Sequence, residues 1–204
     1  MSLTGLFLIL FLIVHLAGNL QLIYGTQEGF NEYSKFMTTF PVIKIVSYLL
    51  YASIVLHAVD GIVLARQNRA ARPERYAMNK PGENSSWASR SMALLGVITL
   101  VFIIIHMRTF WYEMHFGSLP MDAQGNKDLY TITVEAFKSP IYTIWYVVCM
   151  LALGFHLSHG FQSAFQTLGL NHPVYTPGIK KFGAVFSWLM CGLFAIIPIW
   201  IYLT

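Results

Sequence analysis

The sequence predicts an all-α protein, an integral membrane bundle of five transmembrane helices that forms one domain over residues 1–204. Of the 204 residues, 56% are hydrophobic and only 11% are charged, a composition far from that of soluble domains. The chain also contains five apolar segments of about twenty or more residues, each long enough to cross ~30 Å of hydrocarbon at ~1.5 Å per residue. The lipid bilayer is therefore an expected partner, and no nucleic acid partner is expected.

The first two predicted helices cover about residues 3–24 and 41–65. The first is apolar up to His15. No basic segment precedes it and no small-residue cleavage site follows it, so we expect it to stay in the protein rather than act as a signal peptide. The second begins at Pro41, because the first turn of a helix does not need the N–H that proline lacks. It ends before Arg66.

The other three predicted helices cover about residues 90–113, 139–166 and 183–203. Pro140 marks the start of the fourth helix, as Pro41 does for the second. Residues 114–138 form the one long connection on their side of the membrane. Cys149 and Cys191 lie within apolar runs and are expected to be free, buried thiols rather than metal ligands or a disulfide.

The charged residues predict the orientation in the membrane. One side carries eight basic residues, namely Arg66, Arg69, Arg72, Arg75, Lys80, Arg90, Lys180 and Lys181, the last two in a predicted loop. The opposite side carries five basic residues together with six of the nine acids. By the positive-inside rule the first side is cytoplasmic, so the N-terminus is expected inside and the C-terminus outside.

Four histidines lie within the predicted helices, and their depths form two layers. Counted from the cytoplasmic boundary, His15 and His106 lie ~20 Å and ~24 Å deep, in the outer half. His57 lies ~13 Å deep and His156 only ~6 to 10 Å deep, in the inner half. Four different helices thus supply one histidine each, in two layers of two.

Two imidazoles that face each other at one depth are what a haem iron with two axial histidines needs, and a bundle core can hold the macrocycle between its helices. A flat macrocycle also needs room beside each ligand. Gly18, Gly61 and Gly160 each follow a candidate ligand by three or four residues, on the same helix face. His106 has phenylalanines at the equivalent positions.

Histidines within membrane helices can also serve without a haem. A lone histidine more often forms a hydrogen bond between helices, so a haem-free scaffold or transporter subunit is the alternative function. A proton relay needs several buried carboxylates, whereas Asp60 is the one acid well within a predicted span; we expect it to pair with Arg66 or Arg90. A di-iron oxidase needs several histidine-rich boxes, and the sequence has one HxxH, at residues 156–159.

Four stretches carry a resemblance to a known family: "LTGLFLILFLIVHLAGNLQL", "VLHAVDGIVLAR", "IIIHMRTFWY" and "FHLSHGFQSAFQTLGL". In this order they resemble the single-chain, five-helix, di-haem cytochrome b anchors of succinate dehydrogenase and fumarate reductase, the succinate:quinone oxidoreductases or complex II. The resemblance covers almost the whole chain. It implies two haem b groups, the proximal one bound by His57 and His156 and the distal one by His15 and His106.

The resemblance also implies roles for residues around the haems. His159 is expected to support a ligand or a haem propionate, and plain packing is the alternative. Arg66 and Arg90 are expected to contact propionates, and the basic residues 66–90 with Lys180 and Lys181 are the expected docking surface for partner subunits. Some members carry a glutamate two residues before the fourth ligand, where this sequence has Gly154, so no proton route through that position is expected.

The implied function is transmembrane electron transfer in the respiratory chain and the tricarboxylic acid cycle. In the family, a flavoprotein subunit oxidises succinate, and an iron–sulfur subunit passes the electrons to the haems and then to a quinone, here expected to be menaquinone. This chain has no GxGxxG motif, and two buried cysteines cannot hold a cluster, so it is expected to be the membrane subunit of that enzyme. The expected location is the bacterial inner membrane.

The quinone is expected at the outer ends of the first three helices, beside the haem of His15 and His106. Its head group needs hydrogen-bond donors, a proton source and an apolar slot for the tail. The candidates are Glu28, Glu32, Tyr33, Lys44, Arg108, Trp111 and Glu113. Glu32 as a proton-transfer group and Arg108 as a donor are the preferred pair, whereas an aromatic belt is the alternative role of Trp111.

Overall fold

A computed structural model describes residues 1–71 and 80–204, so Arg72 and Arg75 lie outside the described residues. The first half contains α1 (Ser2–Asn19), α2 (Gln21–Tyr24), α3 (Gln27–Thr39), α4 (Pro41–Ala70), α5 (Pro81–Asn84) and α6 (Trp87–Arg90). The second half contains α7 (Met92–His106), a π-helical segment (Met107–Trp111), α8 (Tyr112–Phe116), α9 (Leu129–Phe137), α10 (Pro140–Thr167) and α11 (Thr176–Leu203). The described residues form no β-strand.

Five continuous helical stretches are long and apolar enough to cross a membrane, which confirms the predicted all-α class with five transmembrane helices. They are Ser2–Tyr24, Pro41–Ala70, Met92–Phe116, Pro140–Thr167 and Thr176–Leu203. Pro41 and Pro140 stand in the first turns of α4 and α10, as predicted. Cys149 and Cys191 are free and buried, also as predicted.

The helices on the basic side run further than the sequence predicted. Helix α4 continues to Ala70, because arginine and alanine are good helix formers and need no membrane around them. Helix α11 begins at Thr176, so the placement of Lys180 and Lys181 in a loop is wrong. Hydropathy marks where apolar surroundings end, and a helix can extend beyond that boundary into water.

The connections on the opposite side are also more ordered than predicted. The first connection, predicted as a loop, consists mainly of α3, and α9 occupies part of residues 114–138. Thr26 caps α3 by accepting a hydrogen bond from the Gly29 N–H at 3.2 Å, which satisfies a donor that the helix start leaves free. Glu28, Glu32 and Tyr33 therefore project from a helix that packs against α4 and α9.

Four of the transmembrane helices form a ring. Helix α1 packs against α4 and α10, and α7 packs against the same two helices. The diagonally opposite pairs are thus α1 with α7 and α4 with α10. Helix α11 lies outside this ring, against α10 and α1. The ring encloses the bundle axis, where side chains from opposite helices meet.

A polar network closes the end of the bundle that carries α3 and α9, called the outer end after the orientation predicted from the charges. Asn31 of α3 is fully buried, and its Nδ2 donates to Asp122 Oδ2 at 3.2 Å and to Asp128 Oδ1 at 3.0 Å. The Tyr130 N–H donates to Asn31 Oδ1 at 3.0 Å, and Gln27 Nε2 donates to Asp128 Oδ2 at 2.7 Å. The network ties α3 to α9 and to the connection before it, so it holds this end of the bundle together.

Hydrogen bonding sets the charge state of the two carboxylates in this network. Burial raises the pKa of the Asp122 and Asp128 carboxyls, but the hydrogen bonds that they accept outweigh burial and lower both pKa values below the usual 3.8. Both carboxyls are therefore ionised at neutral pH, and each carboxylate accepts several hydrogen bonds.

Candidate functional site

The outer pair of histidines meets across the ring of helices. His15 of α1 and His106 at the end of α7 have ring centroids 5.7 Å apart, with ring planes at 87° to each other. Phe11 stacks on His15 at 4.9 Å, and Phe102 stacks on His106 at 5.7 Å. The two imidazoles belong to diagonally opposite helices, so they meet on the bundle axis between aromatic rings.

The inner pair is built in the same way from the other diagonal. His57 of α4 and His156 of α10 have ring centroids 6.2 Å apart, with planes at 73°. Gly5 of α1 precedes His15 by ten residues, and a Cβ on Gly5 would lie 3.4 Å from His57 Cε1. Ten helical residues correspond to ~15 Å. Because Gly5 lies at the inner pair and His15 belongs to the outer pair, the two pairs are ~15 Å apart along α1.

Both separations fit a pair of axial ligands on one haem iron. An imidazole nitrogen binds a metal at about 2 Å and its ring centre lies about 1 Å further away, so two axial rings have centres roughly 6 Å apart. His156 Nδ1 is buried without a hydrogen-bond partner among the described residues. A buried nitrogen without a hydrogen-bond partner costs free energy. The free Nδ1 therefore fits a histidine that has a further partner when a group is bound beside it.

Hydrogen bonds also fix which nitrogen of His57 is available. Thr4 Oγ1 lies 2.8 Å from the Met1 carbonyl and 3.2 Å from His57 Nδ1. A carbonyl can only accept, so the Thr4 hydroxyl donates its proton to Met1 and accepts the Nδ1–H of His57. The lone pair of Nε2 is then free for a metal, the arrangement that metal-bound histidines commonly have.

Two of the three predicted glycines have protein side chains beside them. A Cβ at Gly18 would lie 2.5 Å from Tyr33 Cε1, so the notch at Gly18 accommodates the Tyr33 ring. Gly61 lies against the Met1 side chain, and Gly160 has open space at its Cβ position. A Cβ at Gly96, on the neighbouring helix α7, would lie 3.7 Å from His156 Cε1. Glycines beside the inner rings therefore come from neighbouring helices.

The other predicted partners lie towards the basic end of the bundle. His159 Nε2 lies 3.2 Å from Ser163 Oγ on its own helix, and Arg66 is exposed near the end of α4. The Arg90 guanidinium donates to the Pro81 and Ser85 carbonyls. The predicted pairing of Asp60 with Arg66 or Arg90 is wrong: Asp60 Oδ2 lies 3.0 Å from the amino group of Met1, because α1 begins beside the inner end of α4.

The preferred quinone residues, Glu32 and Arg108, lie in different surroundings. Glu28 and Glu32 line an outer groove of about 410 Å³ together with Lys35. Arg108 forms an ion pair with Glu113, and its guanidinium lies 4.6 Å from the centre of the ring of Tyr112. Both residues belong to the described part of the chain, and no hydrogen bond or ion pair joins Glu32 to Arg108 there.

The remaining quinone candidates are also separated. Trp111 Nε1 donates to Tyr51 OH at 2.7 Å, Lys44 is exposed at the start of α4, and Tyr33 contacts α1 at Gly18. Partial burial raises the pKa of Tyr33, which therefore stays protonated as a hydrogen-bond donor. Tyr33 therefore contacts α1 at Gly18, three residues after His15.

Sequence reasoning missed the hydroxyl groups around the imidazoles. Tyr146 OH lies 3.1 Å from His106 Nδ1, and Tyr142 OH lies 3.0 Å from Tyr146 OH. Tyrosines near a predicted boundary are usually interfacial, so the sequence predicted no role for these two. One signal was present: Tyr146 precedes His156 by ten residues, which places it at the depth of the outer layer.

Comparisons with known proteins identify the family of the chain. Residues 65–197 match the family described as the succinate dehydrogenase/fumarate reductase transmembrane subunit. The chain is similar to the succinate dehydrogenase cytochrome b558 subunit of Bacillus subtilis (strain 168), with 28% identity over 166 residues that cover 79% of this chain and 73% of that protein. No solved structure matches the chain significantly. With more than half of its length matched, the chain belongs to the family of transmembrane subunits of succinate dehydrogenase and fumarate reductase.

Proposed function

We propose that this chain is the electron-transfer anchor of a succinate:quinone oxidoreductase in a bacterial inner membrane, passing electrons through two haem b groups to menaquinone. The observation that carries the proposal is the meeting of four histidines as two diagonal pairs, with ring centres 5.7 and 6.2 Å apart. When bound, haem b supplies an iron that alternates between the ferric and ferrous states, one electron at a time.

The protein's own residues hold and insulate these centres. His57 and His156 would hold the inner haem, and His15 and His106 the outer one. The phenylalanines stacked on His15 and His106 keep water away from the outer pair. Low polarity and fixed second-sphere hydrogen bonds are the means by which a protein sets a haem potential.

The basic end of the bundle is the proposed docking surface. Arg66 and Arg69 lie in the last part of α4, and Lys180 and Lys181 lie in the first part of α11. In this proposal they face the cytoplasm and bind the iron–sulfur subunit, which in turn carries the flavoprotein subunit. Electrons therefore enter beside His57 and His156 and leave beside His15 and His106.

The quinone is proposed to bind at the outer end, where its head group finds polar side chains and its tail finds apolar surface. The proposed place of the head group is the outer ends of the first three transmembrane helices, beside His15 and His106. For the tail, an apolar cleft of about 450 Å³ lies beside Ile105 of α7 and Tyr142 of α10. Glu32 would supply protons from the outer groove, and Arg108 would donate to a carbonyl after release from Glu113.

A spectrum of the purified complex tests the proposed cofactors. We expect two b-type haems per chain with six-coordinate, bis-histidine spectra and two resolvable midpoint potentials. Redox titration followed by optical spectroscopy, with haem and protein quantified separately, measures both quantities. A ratio of one haem or none would contradict the proposal, and none would favour a haem-free scaffold.

Neutral variants test the quinone placement. Glu32→Gln and Arg108→Gln are expected to lower quinone-coupled succinate oxidation by about tenfold, since each removes a proton-transfer or donor group. Succinate oxidation with a soluble dye acceptor should persist, because the dye takes electrons before the quinone site. Glu135→Gln, an exposed change on α9, is the control. Full quinone activity in both variants would exclude this placement.

A further inference from the structure

A chain of hydroxyl groups runs from His106 to the backbone of its own helix. The Thr109 hydroxyl donates to the Ile105 carbonyl at 3.0 Å, and the Tyr142 hydroxyl donates to Thr109 Oγ1 at 2.9 Å. Tyr142 OH and Tyr146 OH are 3.0 Å apart, and Tyr146 OH is 3.1 Å from His106 Nδ1. The chain links α7 and the π-helical segment to α10 at the depth of the outer histidines.

The direction of every proton in this chain follows from its far end. A carbonyl can only accept, so Thr109 uses its proton on Ile105 and accepts from Tyr142. Tyr142 has then used its proton, so it accepts from Tyr146. Tyr146 has used its proton in turn, so its oxygen accepts the Nδ1–H of His106. His106 is thereby held in the tautomer that leaves Nε2 free.

The ring of Tyr146 is fixed independently of its hydroxyl. Its side chain is 5% exposed, and its ring centroid lies 4.9 Å from Phe102 and 4.8 Å from Phe137. These edge-to-face contacts orient the phenol whether or not the hydroxyl is present. Removing only the oxygen should therefore leave the packing in place and delete one hydrogen bond.

We propose that Tyr146, oriented by Tyr142 and Thr109, is the positioning residue of His106, and that it sets the potential of the haem held by His15 and His106. The inference rests on the proposed function, because it assumes that His106 is a haem ligand. A hydrogen bond from Nδ1–H to an acceptor raises the basicity of the imidazole. A more basic ligand stabilises the ferric state, so Tyr146 lowers the midpoint potential of the outer haem.

The test is a redox titration of the purified complex carrying Tyr146→Phe. We expect both haems to be retained and the outer one to shift to a higher potential, with roughly a threefold to tenfold rise in its ferrous-to-ferric ratio at a fixed ambient potential. The inner haem should not change. The low-spin electron paramagnetic resonance signal of the outer haem should shift as well, because the orientation of one axial ring is no longer fixed.

Two further variants separate this effect from general disturbance. Tyr51→Phe removes another tyrosine hydroxyl at the outer end, which accepts a hydrogen bond from Trp111 Nε1 at 2.7 Å. This hydroxyl has no hydrogen bond to a histidine, so the variant should leave both midpoint potentials unchanged. Thr4→Val removes the partner of His57 Nδ1 and should raise the potential of the inner haem only.

Unchanged potentials in Tyr146→Phe, or an equal shift of both haems, would overturn the inference. If that variant loses the outer haem or fails to assemble, Tyr142→Phe decides by the same criterion, since it disrupts the chain one step further out and should shift the outer haem alone. Absence of haem from the unsubstituted complex would instead overturn the proposed function itself.

Discussion

Replacing His57 or His156 with alanine is expected to reduce the haem content from two per chain to one, with loss of the inner haem. His15→Ala or His106→Ala should remove the outer haem and spare the inner one. Two rings from diagonally opposite helices would hold each haem, with centroids 6.2 and 5.7 Å apart, so a variant that lacks one ring would keep a single histidine to hold that haem. Haem quantification and the two midpoint potentials identify which haem remains.

Other histidines of the chain provide matched controls. His159 lies one helical turn from His156, and His115 is exposed on α8, so His159→Ala and His115→Ala are the control variants. Both variants should retain two haems. If His159→Ala removes a haem while His156→Ala spares both, or if His57→Ala and His106→Ala remove the same haem, the proposed pairing is wrong.

The helix class and the depth of each histidine could be predicted from the sequence because both depend on local quantities. Hydropathy gives the apolar length, and a helical rise of ~1.5 Å per residue converts residue numbers into depth. Depth alone placed His15 with His106 and His57 with His156, and the structure brings the same rings together.

Features that depend on the contact between elements could not be predicted. The partner of Asp60 is Met1 because α1 starts beside α4, and no pattern in either segment shows this proximity. The hydroxyl chain from His106 needs α10 to bring Tyr142 and Tyr146 against α7. Sequence spacing predicts the depth of each residue, but the angle at which each side chain leaves its helix is set by packing.

The outer connections show the same limit. The first connection is polar enough to suggest a loop, yet α3 forms there because Thr26 caps it and because Asn31 finds partners on the distant segment 122–130. Glu28, Glu32 and Tyr33 are quinone candidates from this supposed loop, whereas Lys44, Arg108, Trp111 and Glu113 are candidates from the ends of the second and third predicted helices. A loop has no predictable direction, so the distance between the two groups could not be anticipated. Glu32 lies at the groove of α3, whereas Arg108 pairs with Glu113.

The polar network of Gln27, Asn31, Asp122, Asp128 and Tyr130 forms a cap at the outer end of the bundle. Asn31→Ala is expected to loosen this cap without changing the transmembrane helices. The substitution removes two hydrogen bonds to carboxylates and leaves the Tyr130 N–H without its acceptor. The hydrogen bond to Asp128 is buried and the other two are partly buried. Breaking all three costs about 2 to 4 kcal/mol, which should lower the free energy of local opening by that amount. Hydrogen exchange followed by mass spectrometry should show faster exchange in residues 118–131. Asn171→Ala, an exposed change on the opposite side of the membrane, should leave this exchange unaltered.

The same network predicts how the cap responds to acid. The Asp122 and Asp128 carboxyls have folded pKa values below 3.8, so their contribution to stability is fully present above 3.8 and is lost as the pH falls through the depressed values. Protection of residues 118–131 should therefore persist at about pH 5 and disappear only below pH 3.8. Gln27→Ala removes one hydrogen bond to Asp128 and one to the Thr131 hydroxyl, whereas Asn31→Ala removes three, so Gln27→Ala should have the smaller effect at every pH. Equal exchange in Asn31→Ala and the unsubstituted chain would show that the cap is held by apolar packing of α3 on α9 and not by these polar contacts.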